Sequence, residues 1–114
     1  MFDALKNLGN LPGLMAKARE MQDKMKAMQE ELARKTVTAD AGGGAVHATC
    51  NGRLELVRLK IEKERLTDPG DTEMLEELVV AAVHAAQAKA ADMAKDDMQR
   101  AASEMGLPPG MLPS

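Results

Sequence analysis

Apolar residues recur every seven positions near the start of the chain. Leu11, Ala18, Met25 and Leu32 form one series, and Leu14, Met21 and Met28 lie three places after its first three members. This a/d spacing predicts a helix over residues 11–35 whose stripe winds onto a partner helix. Pro12 suits a first turn, where its missing N–H has no intrahelical partner. The methionines of the stripe fill gaps while specifying geometry loosely. The period then changes. From Thr36, β-branched residues and the turn signals Gly42-Gly43-Gly44 and Asn51-Gly52 divide the chain into three short segments ending near Glu62. In the last segment Val57, Leu59 and Ile61 alternate with Arg58, Lys60 and Glu62, the two-residue period of a half-buried strand. Residues 36–62 are therefore expected to form a three-stranded antiparallel meander. Its two edges are open to pairing or cover by a second subunit.

Asp68-Pro69-Gly70-Asp71 reads as a turn. Asp71 or Thr72 then caps a second helix, with Glu73, Glu76 and Glu77 where the helix dipole favours negative charge. The pattern runs over residues 72–105 and stops at Gly106, about 50 Å of helix at 1.5 Å per residue. Met74, Leu75, Leu78, Val79 and Ala82 form a stripe suited to covering the sheet. Eight alanines between Val79 and Ala94 permit close backbone approach. Beyond Asp92 the surface is mostly polar, so this end is expected to project. The Pro-rich stretch 106–114 is expected to be extended. The fold expected is α+β, one domain over residues 1–114, in the order helix, antiparallel meander, long helix, tail.

Composition narrows the function. Of the 114 residues only Phe2 is aromatic, which argues against single-strand binders and RNA-recognition sheets that stack bases on π-surfaces. Cys50 is the only cysteine, which excludes an intrachain disulfide and any cysteine-cluster zinc site and fits a reducing compartment. The longest apolar run, Leu78 to Val83, is too short to span a membrane. Residues 1–6 lack the features of a signal peptide, so a cytosolic protein is expected. His47 and Cys50 are three apart on a strand and face opposite ways, which prevents joint metal binding or a nucleophile–base pair. Cys50 shares its face with Val46 and Ala48 and reads as a buried small residue. His84 has no ligand-type neighbour at helical spacing, and Gly42-Gly43-Gly44 lacks the rest of a phosphate loop. No catalytic constellation emerges. The chain reads as a non-enzyme with no cofactor, no metal, no membrane and no small-molecule substrate.

The net charge of −3 conceals an asymmetry, with a mildly basic front half and an acidic last third. At 100° per residue Lys17, Lys24 and Lys35 fall within about 20° of one line beside the heptad stripe. Arg19 and Lys26 form a second line. Two such rows brought together by a dimer would track a phosphate backbone. On charge alone the pattern favours a solvated helix surface with pairs such as Glu20–Lys24 and Glu31–Lys35, the more so with Glu30 and Glu31 interrupting the rows. A protein-interaction adaptor, receiving a partner helix on its Met- and Ala-rich surfaces, is the alternative.

A resemblance to a family separates these readings. Leu14-Met15-Ala16-Lys17-Ala18-Arg19-Glu20-Met21-Gln22, Met25 and Met28-Gln29-Glu30-Glu31-Leu32 carry it, with Asn51-Gly52, the run Glu73 to Ala82, and Leu107-Pro108-Pro109-Gly110. In that order they resemble the YbaB/EbfC nucleoid-associated proteins, across nearly the whole chain from about Leu11 to Gly110. The resemblance implies a small homodimer, tweezer-shaped, with protruding helices that hold duplex DNA, associated with the nucleoid. It implies phosphate contacts from Lys17, Arg19, Lys24 and Lys26, with Arg34, Lys35, Lys89, Lys95 and Arg100 as further candidates. Leu14, Ala18, Met21, Met25, Met28 and Leu32 are the candidate dimer contacts. The partners expected are double-stranded DNA and a second copy of the chain.

Overall fold

The computed structural model describes residues 11–106. The first ten residues and the Pro-rich segment from Leu107 onward, with the extended tail expected there, lie outside the described residues. Helix α1 (Leu11–Arg34) is followed by strands β1 (Thr36–Ala41), β2 (Val46–Asn51) and β3 (Leu56–Ile61), a 3-10 turn (Lys63–Arg65) and helix α2 (Thr72–Glu104). The strands form one antiparallel sheet in the order β1-β2-β3, so the α+β meander expected from the sequence is the one observed. The described residues fall into two compact units that divide between Glu31 and Leu32.

In the unit that begins at Leu32, the core lies between α2 and one face of the sheet. Ala39, Val46, Ala48 and Cys50 meet Ala82, Ala86 and Ala90, flanked by Val37, Ala41, Leu75, Leu78, Val79 and Val83. The three alanines recur every four residues and are fully buried, so α2 presents an almost flat stripe to the strands. Small side chains let the backbones approach and bring many atoms into dispersion contact. α2 packs on β1 and β2, leaving β3 as an edge paired only to β2. Asp71 caps the helix, its Oδ1 accepting from Met74 N at 3.0 Å. The far end of α2 does not simply project. Asp97 accepts a hydrogen bond from Lys35 Nζ at 2.7 Å, and Ala102 is buried.

The turns differ from one another. Gly42, Gly43 and Gly44 all adopt positive φ, as a tight link between β1 and β2 requires. Asn51-Gly52 does not form the expected two-residue hairpin. The loop runs on to Glu55, whose carbonyl accepts from Asn51 N at 3.0 Å, and the positive φ of 65° falls on Leu54. Buried Asn51 organises this loop, its Oδ1 accepting from Arg53 N at 2.9 Å and Glu55 N at 3.1 Å. Gly52 serves a different purpose. Its N–H donates to the Leu32 carbonyl at 2.8 Å and the Lys35 carbonyl at 3.1 Å, satisfying carbonyls at the end of α1. A Cβ at this position would stand 2.7 Å from the Leu32 oxygen.

The β2–β3 register also departs from simple alternation. Thr49 pairs with Arg58 and Cys50 with Leu56, so a bulge lies between them and Val57 is left without a partner. Leu56, Leu59 and Ile61, rather than Val57, Leu59 and Ile61, share the face of Cys50, Ala48 and Val46. All three are exposed, since α2 packs mainly on β1 and β2.

Candidate functional site

α1 is a 24-residue helix, about 36 Å long, and Lys17, Arg19, Lys24, Lys26 and Arg34 are all exposed on it. Lys24 Nζ lies 3.3 Å from Glu20 Oε1, an i,i+4 pair with both side chains more than half exposed. Such a pair contributes only about 0.3–0.5 kcal/mol. It leaves Lys24 available to a stronger anion. No ion pair engages Lys17, Arg19 or Lys26 among the described residues. Arg34 stands in the last turn, where the helix dipole favours a cation.

Three of the other candidate cations, Lys35, Lys89 and Arg100, are engaged within the chain. Lys35 lies just beyond α1 and reaches Asp97, which is also approached by Arg100 Nη2 at 3.4 Å. The Asp97 side chain is only 12% exposed, and the hydrogen bond from Lys35, reinforced by the charges of Lys35 and Arg100, holds its carboxyl below the usual carboxylate range against the opposing effect of desolvation. Lys89 Nζ donates to the Thr38 carbonyl at 3.0 Å. Lys95 is exposed on α2. Asp97 was not singled out by the sequence. It lies 62 residues from Lys35 and belongs to no local pattern.

The heptad stripe divides in the same way. Leu14, Met21 and Met25 are 56%, 40% and 41% exposed, Ala18 is exposed, and Met28 is half-buried. Leu32 differs: it is 2% exposed and lies against Gly52, so it packs within its own chain.

Cys50 is fully buried, and desolvation pushes its thiol pKa up, which suppresses the reactive thiolate. His84 is exposed, and His47 Nε2 stands 3.8 Å from Glu62 Oε1. Among the described residues no three His, Cys, Asp or Glu side chains are placed to hold a metal ion, and no helix is long and apolar enough to cross a membrane.

The chain is similar to several known proteins. A nucleoid-associated protein of Pelotomaculum thermopropionicum is 43% identical over 100 residues, covering 88% of this chain and 94% of that protein. One of Granulibacter bethesdensis is 45% identical over 102 residues, covering 90% and 94%. The crystal structure of an uncharacterized protein from Helicobacter pylori is similar in fold, with a TM-score of 0.55 at 24% identity over 69% of this chain and 90% of that one. The model of the YbaB/EbfC DNA-binding family matches residues 7–105, and the chain belongs to that family.

Proposed function

We propose that the protein is a nucleoid-associated homodimer that binds double-stranded DNA mainly through the phosphate backbone, with little sequence discrimination. The observation that carries this reading is the set of exposed cations Lys17, Arg19, Lys24 and Lys26 on α1, in a chain of the YbaB/EbfC DNA-binding family. Phosphate oxygens take hydrogen bonds from lysine and arginine in any sequence context, which positions a protein without selecting bases. The acidic last third, reading −6 over residues 67–114, confines the attraction to one part of the surface.

Self-association is supported by two exposed apolar surfaces. One is the α1 stripe of Leu14, Met21 and Met25; the other is the β3 flank of Leu56, Leu59 and Ile61. A strand edge flanked by apolar side chains is a template for pairing with another chain. Light scattering at micromolar concentration is expected to give about twice 12.2 kDa.

Salt titration of binding to random-sequence duplex DNA tests the main claim. Four phosphate contacts per protomer on α1 alone contribute about −3.6 to the slope of log K against log salt, at about −0.9 for each. Charge reversal of Lys17 and Lys24 together is expected to lower affinity at least about tenfold. A flat slope, or unchanged binding by that variant, overturns the reading. If the protein ignores duplex DNA yet captures a defined protein partner, the adaptor reading replaces it.

A further inference from the structure

We propose that the sheet face opposite α2 is a second contact surface for duplex DNA, centred on Arg58 and Lys60. This rests on the DNA-binding reading and adds to it a surface outside both helices. The register places two rungs on that face. Thr38 pairs with Thr49 and Thr49 with Arg58; Asp40 pairs with His47 and His47 with Lys60. Because side chains alternate along a strand, these residues point away from the core formed by Ala39, Val46, Ala48 and Cys50. Thr38, Asp40, Arg58 and Lys60 are exposed.

Three observations favour an anionic occupant. Arg58 has no carboxylate partner among the described residues; its rung holds two threonines whose hydroxyls bond each other at 2.9 Å. Lys60 approaches Glu62 at 3.7 Å, but Arg65 at 2.8 Å and His47 at 3.8 Å converge on the same carboxylate, so one anion is shared among three groups. From Arg53 to Arg65 the chain carries five cationic residues against three acidic ones. β3 and its flanking turns thus keep a positive excess along the sheet edge. Arg58 and Lys60, two residues apart, stand about 7 Å from each other on one face. Arginine, lysine and threonine are among the side chains that hydrogen-bond DNA phosphates.

The experiment compares wild type, R58Q/K60Q, R58E/K60E and K17E/K24E in salt titrations against one random-sequence duplex. Thermal melting and light scattering are recorded for each protein. R58Q/K60Q is expected to melt and associate as wild type does, with a slope of log K against log salt flatter by about 1.8 per protomer. That corresponds to about tenfold less affinity lost between 50 and 200 mM salt. R58E/K60E is expected to bind more weakly still. The inference is overturned if folded R58Q/K60Q and R58E/K60E both match wild type in affinity and slope while K17E/K24E loses binding. If wild type itself fails to bind duplex DNA, the broader reading falls and takes this one with it. Should the charge reversal not fold, the glutamine variant alone supplies the deciding slope.

Discussion

The two helices use their apolar residues in opposite ways. α1 displays Leu14, Met15, Met21 and Met25 with 40% or more of each exposed, whereas α2 turns Ala82, Ala86 and Ala90 inward with no exposure at all. Side-chain size therefore does not rank burial here; what stands opposite does. An alanine stripe lets a helix lie close against Val46, Ala48 and Cys50, and a close-packed contact of that kind tolerates little change in volume. Long, flexible methionines and leucines instead leave a surface that can adapt to another molecule. One helix completes the core, and the other displays apolar residues beside the exposed Lys17, Arg19, Lys24 and Lys26.

Four measurements would break or sharpen that contrast. The largest effect is expected from Ala86→Leu, which inserts bulk into a fully closed contact and should lower the unfolding free energy by about 3 kcal/mol in urea denaturation. The same change at exposed Ala91 should stay within about 0.5 kcal/mol, and equal costs at both sites would refute the close-packed stripe. Next comes Gly52→Ala. The new Cβ would meet the Leu32 carbonyl and side chain at under 3 Å, and the loss should be about 2 kcal/mol.

A smaller effect with a definite sign involves Asp97. Its carboxyl is held below its unfolded value, so its stabilising contribution is complete above the unfolded pKa and is lost as pH falls through the folded one. Melting curves from neutral pH down into the acid range should therefore show Asp97→Asn less stable than wild type near neutrality, with the gap closing in acid. A constant gap would remove the Lys35 pair as its cause. The smallest change is expected from Met21→Ala with Met25→Ala. At dilutions where light scattering gives a monomer, stability should shift by no more than about 0.5 kcal/mol, because neither side chain is buried in its own chain.

Much of the architecture was legible from local pattern. The heptad stripe and Pro12 marked α1, the glycine turn marked the β1–β2 connection, and Asp71 marked the start of α2. The Asn51-Gly52 signal located a turn but misled about its form. The type I′ hairpin that Asn-Gly favours needs positive φ at both central positions, and here that conformation passes to Leu54 while Gly52 accommodates the end of α1. The bulge at Thr49 and Cys50 was likewise invisible, since strict alternation in β3 gives no hint that one residue lacks a partner. For the candidate site, Lys17, Arg19, Lys24 and Lys26 could be read from helical spacing because all four lie within three turns of one helix.

The chain's own order of residues was enough to set the elements, their sequence, and the sign of charge that each exposes. These depend on φ/ψ preference, side-chain period and turn chemistry, all of which act over a few neighbouring positions. Which cations stay in solvent was decided elsewhere. Lys35 meets Asp97 across 62 residues, Lys89 meets the Thr38 carbonyl across 51, and Leu32 is sealed by Gly52. Partners so far apart meet only after the sheet and α2 have packed, when burial makes an unpaired polar group costly. Only then does one lysine become a structural tie and another remain a charge on offer.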